Sequence, residues 1–441
     1  MQSGPGIENN PILALLGDST DGPDDPVEQT HSIFWRVHDP IERCSQIRST
    51  APPPVDLPNS DLFWATIDVN NTADNEELYQ FLSKNYGADN VQYRLCYTRD
   101  HLAWILQPPG YLPALHLALR QKISGSSDQA SQLVGFVAGI PCTISLREAP
   151  NSNEPELVPS MEVNLLCLTP ALRGLGLGPL LIREITRRIL TLCPRTQMAV
   201  YTTSVPLPGE VARSRYYYQP LNIPRLVECG WMPTPDAAEA DYYRLPRSSL
   251  RPTVRRLSVA DISEARSLLN RQQAQFCMGR HWDSDIEFQH CFLPRPDGTV
   301  ETWIIESPPE DGTHHLAGLI SFSVIPFVPQ TLGREAPSTG GPIRAAFANY
   351  AVVDCPRPAE TPGEGHIHPC PQRLVEIYTD ALIVARDLCN AHLFNILDTQ
   401  HCIELVEPLH FNPVMAATMH VYIYNRKVRN LTAPEIGIVL S

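Results

Sequence analysis

Residues 161–188, MEVNLLCLTPALRGLGLGPLLIREITRR, constrain the fold more than any other stretch of this chain. Met161 to Leu168 is an apolar run of strand length. The turn Arg173-Gly174-Leu175-Gly176-Leu177-Gly178 follows it. Pro179 to Leu190 then has helical spacing, with the proline in the first turn, where its missing N–H costs little. Glycines at 174, 176 and 178 let the backbone approach a ligand with no Cβ in the way. The unpaired N–H groups at the helix start would face an anion, and the helix dipole would favour it. The stretch therefore predicts a strand, a candidate phosphate-binding turn and a helix; a plain chain reversal would use the same residues.

A chain of 441 residues, 43% hydrophobic, can hold one large or two medium domains. Acidic residues outnumber basic ones, 48 to 34, for a net charge of −14. That balance argues against nucleic acid as a partner, which needs a basic footprint. A phosphate ligand would have to rely on arginine, since Lys84, Lys122 and Lys427 are the lysines. Arginine suits phosphate through its fork of donors. Twelve cysteines with no C-x-x-C pair, behind an N-terminus unlike a signal peptide, predict a reducing, cytoplasmic setting. No apolar run reaches the roughly 18 residues of a membrane helix, so no transmembrane segment is expected.

Residues 1–30 lack Lys and Arg and are rich in Gly, Pro, Asp and Asn, a composition that predicts a disordered acidic tail. The remainder divides into residues 31–245 and 246–441, with Leu245 to Pro252 as the link. Two short echoes relate the halves. Trp104-Ile105-Leu106-Gln107-Pro108-Pro109 recurs as Trp303-Ile304-Ile305-Glu306-Ser307-Pro308-Pro309, and Leu133-Val134-Gly135-Phe136-Val137 as Leu316-Ala317-Gly318-Leu319-Ile320. All four read as strands ending in turns, preceded by helical segments at 76–85 and 261–270. Residues 124–131, 328–342 and 354–371 read as surface insertions. His366-x-His368-x-Cys370 lacks further partners at zinc spacing, so no metal site is expected. Neither a G-x-S-x-G elbow nor a Walker loop occurs.

The R-x-x-G-x-G spacing resembles the pyrophosphate loop of GNAT-type acyl-CoA transferases, with the glycines here closer to Arg173. The preceding Glu162-Val163-Asn164-Leu165-Leu166-Cys167 resembles the first signature, E-[IV]-N-F-L-C, of the N-myristoyltransferases. An ordered series supports the same resemblance: Ile33-Phe34-Trp35, Trp104 with Pro108-Pro109-Gly110-Tyr111-Leu112-Pro113, Leu133 to Phe136, Tyr201-Thr202, Arg215-Tyr216, Phe394-Asn395 with Leu397-Asp398, and Tyr422 with Tyr424-Asn425. It spans nearly everything from residue 31 to residue 441. The resemblance implies an α/β (α+β) fold of two pseudo-symmetric GNAT-type halves sharing one continuous mixed sheet flanked by helices. It also implies a monomer that transfers myristate from myristoyl-CoA, a co-substrate rather than a tightly bound cofactor, to the N-terminal glycine of peptides.

Such a reaction must polarise the acyl carbonyl, deprotonate a glycine ammonium with a pKa of about 8, and hold both substrates in line. The resemblance assigns the first task to the backbone N–H groups of Leu165 and Leu166. It assigns the second to the α-carboxylate of Ser441, whose ordinary pKa of about 3.5 burial beside Ile438, Val439 and Leu440 would raise. Thr202 would lie near the amine. Phe34, Trp35, Leu165, Arg173, Gly174, Leu175, Gly176, Leu177, Gly178, Pro179 and Leu180 would hold the CoA thioester. Arg183 and Arg187 share a helix face that could reach phosphate or stay solvated. Tyr86, Tyr93, Tyr97, Tyr216, Tyr218 and Tyr350 would line a peptide groove.

Departures cluster on the peptide side. The second signature, K-F-G-x-G-D-G, stands here as His410-Phe411-Asn412-Pro413-Val414-Met415-Ala416, and the acidic loop shrinks to Gly87-Ala88-Asp89-Asn90. Two alternatives thus stay open: an acyl-CoA-binding relative without transfer activity, and an acyltransferase for another amine.

Overall fold

The computed structural model describes residues 55–86, 93–123, 130–147, 154–204, 206–307, 315–329, 341–354 and 371–440. In chain order the first half contains β1 (Leu62–Thr66), α1 (Thr72–Asn85), β2 (Tyr93–Leu95), α2 (Arg99–Leu106), β3 (His116–Lys122), β4 (Ser131–Leu146), β5 (Glu156–Leu168), α3 (Leu177–Leu192), β6 (Met198–Thr203) and β7 (Ala212–Pro220). Short helices α4 (Ile223–Glu228) and α5 (Ala237–Tyr242) follow. The second half contains β8 (Val254–Arg256), α6 (Ile262–Gln273), β9 (Met278–His281), α7 (Asp285–Phe292), β10 (Val300–Glu306), β11 (Leu316–Pro329), β12 (Ile343–Val353), α8 (Pro371–Asp387), β13 (Leu393–Leu397) and β14 (Asn412–Tyr424).

The strands form one mixed sheet in the order β1-β3-β4-β5-β6-β14-β7-β13-β12-β11-β10-β8, with β2 paired to β11 and β9 to β4. Read from either end, the order repeats. The parallel pair β5/β6, linked by α3, has its counterpart in β12/β13, linked by α8. At the centre the halves exchange strands: β14 of the second half pairs with β6, and β7 of the first pairs with β13. The expected α/β architecture with a continuous sheet is thus present. Helices α2 and α7 tie the halves a second time, since Trp104 Nε1 donates to His290 O (2.8 Å) while His290 Nε2 contacts Trp104 O (2.8 Å).

One echo was misread. Trp104-Ile105-Leu106 is not a strand but the last turn of α2. Thr98 caps that helix by accepting from the His101 N–H, Asp100 sits in the first turn, and Leu102, Ile105 and Leu106 bury one face at helical spacing. The counterpart of β10 in the repeated strand order is β3. The second echo joins β4 and β11, where Gly135 stands opposite Leu119 and Gly318 opposite Ile305.

Helix α3 starts two residues earlier than its proline suggested, because Gly176 in the left-handed region (φ 76°) serves as its N-cap. Leu177, Leu181, Ile185 and Ile189, spaced by four, bury against Met161, Val134 and Val137 of the sheet. Full burial of each such side chain contributes roughly 1.5–3 kcal/mol. The helix is therefore fixed by its core face, and its first turn is held beside the end of β5.

Candidate functional site

Strands β5 and β6 are parallel neighbours for three register pairs only, Ser160–Met198, Met161–Ala199 and Glu162–Val200. Both run on, to Leu168 and Thr203, without pairing further, so the sheet opens between them. At the opening β5 carries a bulge: Ala138 faces Asn164 and Phe136 faces Cys167, leaving Leu165 and Leu166 against Val137 alone. Leu165 adopts φ 57°, a left-handed conformation that costs a leucine about 1 kcal/mol. Its side chain, 1% exposed, is packed beneath with Cys167, Phe136 and Leu102, which supports the strained backbone.

A side-chain relay fixes the bulge. Asn164 Oδ1 accepts the Leu165 N–H at 2.7 Å, and Asn164 Nδ2 donates to the buried Glu162 carboxylate at 3.3 Å. Sequence reading passed over Asn164 as a working residue. Its place directly before two leucines carried no periodic signal, and only the positive φ of Leu165 exposes its job.

The two faces of the opening differ. On one face lie Met161, Val163 and Ala199 with α3 and its glycine turn. On the other, Val158, Met198, Val200 and Val421 pack against Ile436 and Ile438, with Leu440 alongside. Strand alternation puts Glu162, Asn164 and Thr202 on this second face, and Thr202 stands opposite Val421. The C-terminal strap thus passes over the strand that carries Thr202. It is held by Gly437 N–H donating to Met278 O (2.8 Å) and by a bridge between Met278 and Ile436.

Three tyrosines close the mouth. Tyr86 and Tyr97 stand with ring centroids 6.2 Å apart. Burial pushes the Tyr86 phenol up to about 12. Burial, then the neighbouring Tyr86, Tyr216 and Glu162, holds Tyr97 well above the ordinary value, and burial raises Tyr216 too. All three therefore stay neutral donors at physiological pH.

The glycine turn is held from behind. Arg173 Nε donates to Leu168 O (3.1 Å) and its second amino group to Asn85 O (2.8 Å), bracing the turn against the end of α1 next to Tyr86. Gly174 and Gly176 lie at φ 74° and 76°, with nothing within 4 Å of an added Cβ. The first turn of α3 has neither an acidic residue nor a side-chain cap.

Known proteins share this fold. The N-terminal domain model of myristoyl-CoA:protein N-myristoyltransferase matches residues 40–214, and the C-terminal domain model matches residues 233–437. The chain belongs to the N-myristoyltransferase family. Curated relatives include glycylpeptide N-tetradecanoyltransferase 1 of Arabidopsis thaliana, 29% identical over 407 residues (91% of this chain, 84% of that one). Glycylpeptide N-tetradecanoyltransferase 2 of Danio rerio is 30% identical over 422 residues (94% and 76%). Among solved structures, Saccharomyces cerevisiae N-myristoyltransferase with bound myristoyl-CoA superposes with a TM-score of 0.76 at 26% identity, covering 93% of this chain and 99% of that one. A second structure of that yeast protein with myristoyl-CoA gives 0.78 at 24% identity, covering 98% of both, which attests the fold.

Against the family pattern, Leu165, Leu166, Thr202, Tyr86, Tyr97, Tyr216 and the glycine turn converge on the opening between β5 and β6. Several residues do other work. Arg173 donates to the backbone carbonyls of Leu168 and Asn85. Leu177 faces the core, with Leu180 partly buried beside it, whereas Leu175 is exposed; Pro179 and Gly178 occupy the first turn. Arg187, with Arg188, binds the buried Glu184, leaving Arg183 exposed. Tyr218 is buried edge-on to Trp231. The hydroxyl of Tyr350 is engaged by Val439. The backbone of Tyr93 pairs with Pro329. Phe34, Trp35, residues 87–90, the His366–Cys370 motif and Ser441 lie outside the described residues, as does the tail at 1–30. Among the described residues no helix is long and apolar enough to cross a membrane, and no group of acidic, His and Cys side chains could hold a metal.

Proposed function

We propose that the chain is a glycylpeptide N-tetradecanoyltransferase, moving the myristoyl group of myristoyl-CoA to the amine of an N-terminal glycine. The observation that carries this reading is the unpaired gap between β5 and β6, with an anion-ready helix start on one face and the C-terminal strap on the other. A thioester entering from the α3 side would present its carbonyl at the bulge. A peptide amine entering from the strap side would meet it there.

In this reading the CoA phosphates lie against the backbone of Gly174 to Leu180, where the open N–H groups and dipole of α3 favour negative charge. Phe34 and Trp35 cover the ligand. The glycine nitrogen attacks the carbonyl carbon, an N–C bond forms, and the carbonyl oxygen takes up charge next to the Leu165 and Leu166 amides. Donors aimed at that oxygen are worth about 3 kcal/mol each in the transition state. The C–S bond then breaks, and the nitrogen's second proton goes to the departing sulfur, so CoA leaves as its thiol. The attack needs the free amine, so one ammonium proton has by then passed to the α-carboxylate of Ser441, with Thr202 orienting the amine. Tyr86, Tyr97 and Tyr216 line the peptide entrance as neutral hydrogen-bonding walls, and the site works in a monomer.

Transfer of labelled myristate from its CoA thioester to a Gly-starting peptide is expected. Removal of residues 439–441 is expected to abolish turnover and spare thioester binding; undiminished turnover would refute the terminal base. One observation favours a second reading, an acyl-CoA binder without transfer: the Leu165 N–H is already given to Asn164 Oδ1. Tight thioester binding with no labelled product would decide for it.

A further inference from the structure

We infer that Tyr350 is a positioning residue whose single hydroxyl sets where the chain terminus stands, by holding both backbone polar groups of Val439. The Val439 N–H donates to the Tyr350 oxygen at 3.0 Å, and the Tyr350 O–H donates to the Val439 carbonyl at 2.9 Å. One hydroxyl thus replaces a strand neighbour for a residue 89 positions away. It fixes the strap two residues before Ser441.

The ring cannot follow the strap if the strap slides. Trp282 meets it edge-on at 5.0 Å and Phe292 at 5.8 Å, and the side chain is 8% exposed. The floor beneath is rigid too. Arg280, on β9, pairs with Glu287 at 3.1 Å, and its backbone N–H donates to Gln273 Oε1 at 3.0 Å. Upstream anchors stop short of this point. Gln400 N–H holds Ile436 O at 3.1 Å and Gly437 N–H holds Met278 O. Val439 therefore depends on Tyr350 for its register, and through Val439 so does the terminal carboxylate. A displacement of about 1 Å at a reacting group can cost a hundredfold in rate, so the hydroxyl has leverage on turnover without touching either substrate.

This inference rests on the terminal-base reading, and the experiment separates the two. Turnover and thioester affinity are measured in the full chain, in Y350F, in the Y350F/V439P double variant and in the chain lacking residues 439–441, and amide exchange at Val439 in the full chain and in Y350F. V439P, which removes the same donor from the strap side, is a second route that leaves the aromatic cage intact. We expect Y350F and V439P to lower kcat about ten- to a hundredfold with thioester affinity unchanged, and Y350F to speed exchange at the Val439 amide. Y350F is expected to add no loss to V439P in the double variant, a non-additivity that a merely structural tyrosine would not give. Unchanged kcat in Y350F beside a dead truncation overturns the positioning role alone. Further loss on combining Y350F with V439P also overturns it. Full turnover in the truncation overturns the base reading itself.

Discussion

Replacing Gly176 or Gly174 by alanine separates what the turn needs from what a ligand needs. Both glycines sit at positive φ with open space where a Cβ would go, so the added methyl meets no protein atom. The stability cost is then the conformational one, about 1 kcal/mol each. In a sheet this large that lowers Tm by about 2 °C or less. If CoA phosphates press against this backbone, the methyl takes up the space of a charged hydrogen bond, worth roughly 1.5–3 kcal/mol. Kd for the thioester should rise about tenfold to over a hundredfold. Gly298, at φ 74° with the same empty surroundings in the turn before β10, is the control. G298A should match the Tm change and leave Kd alone. Isothermal titration with a non-hydrolysable acyl-CoA and a thermal melt suffice. Equal affinities in G174A, G176A and G298A would refute the claim that this turn is a cradle.

Gly437→Ala should displace the strap, because its Cβ would lie 2.3 Å from Phe276 and 2.6 Å from Gln273 Oε1; turnover should fall with thioester affinity kept, read by steady-state kinetics and titration. Glu184→Ala should cost about 2 kcal/mol in a urea melt, since it strands Arg187 and Arg188 beside a buried site. Acid should weaken the fold in two windows. Burial holds His101 down to about 4, so its contribution is complete above its unfolded value near 6.5 and is lost as pH falls from there toward 4; H101F should make that window shallower in a stability–pH profile, with His116, His281, His290 and His392, also lowered by burial, supplying the remainder. The Arg429 hydrogen bond holds Glu435 down to about 2, so its contribution is full above about 4.5 and is lost between there and 2; E435Q should flatten that lower window.

The strand–turn–helix unit was legible because three local signals agreed: an apolar run, glycines at fixed spacing, and apolar residues every four positions in α3. Its exact start was not, since the helix begins at Leu177, capped by Gly176, rather than at Pro179. The strained Leu165 was invisible, as nothing about a leucine announces φ 57°. Trp104-Ile105-Leu106 misled because three apolar residues fit either period, and only the Thr98 cap decides for helix. Tyr350 and Tyr218 are expected in the groove on the family resemblance, and nothing local in the sequence announces their contacts with Val439 and Trp231. The central exchange of β7 and β14 could not be read at all, because pairing across such separations leaves no local mark.

That exchange bears on how the protein is made. As a nascent chain leaves the ribosome, β6 is complete long before β14 is synthesised, so its outer edge waits bare through the whole of the second half. Unpaired edges of this kind recruit wrong partners and holdase chaperones. Acyl transfer in the proposed manner would therefore be switched on late in biogenesis, when Tyr424 reaches Ala199 and seals the seam beside the gap.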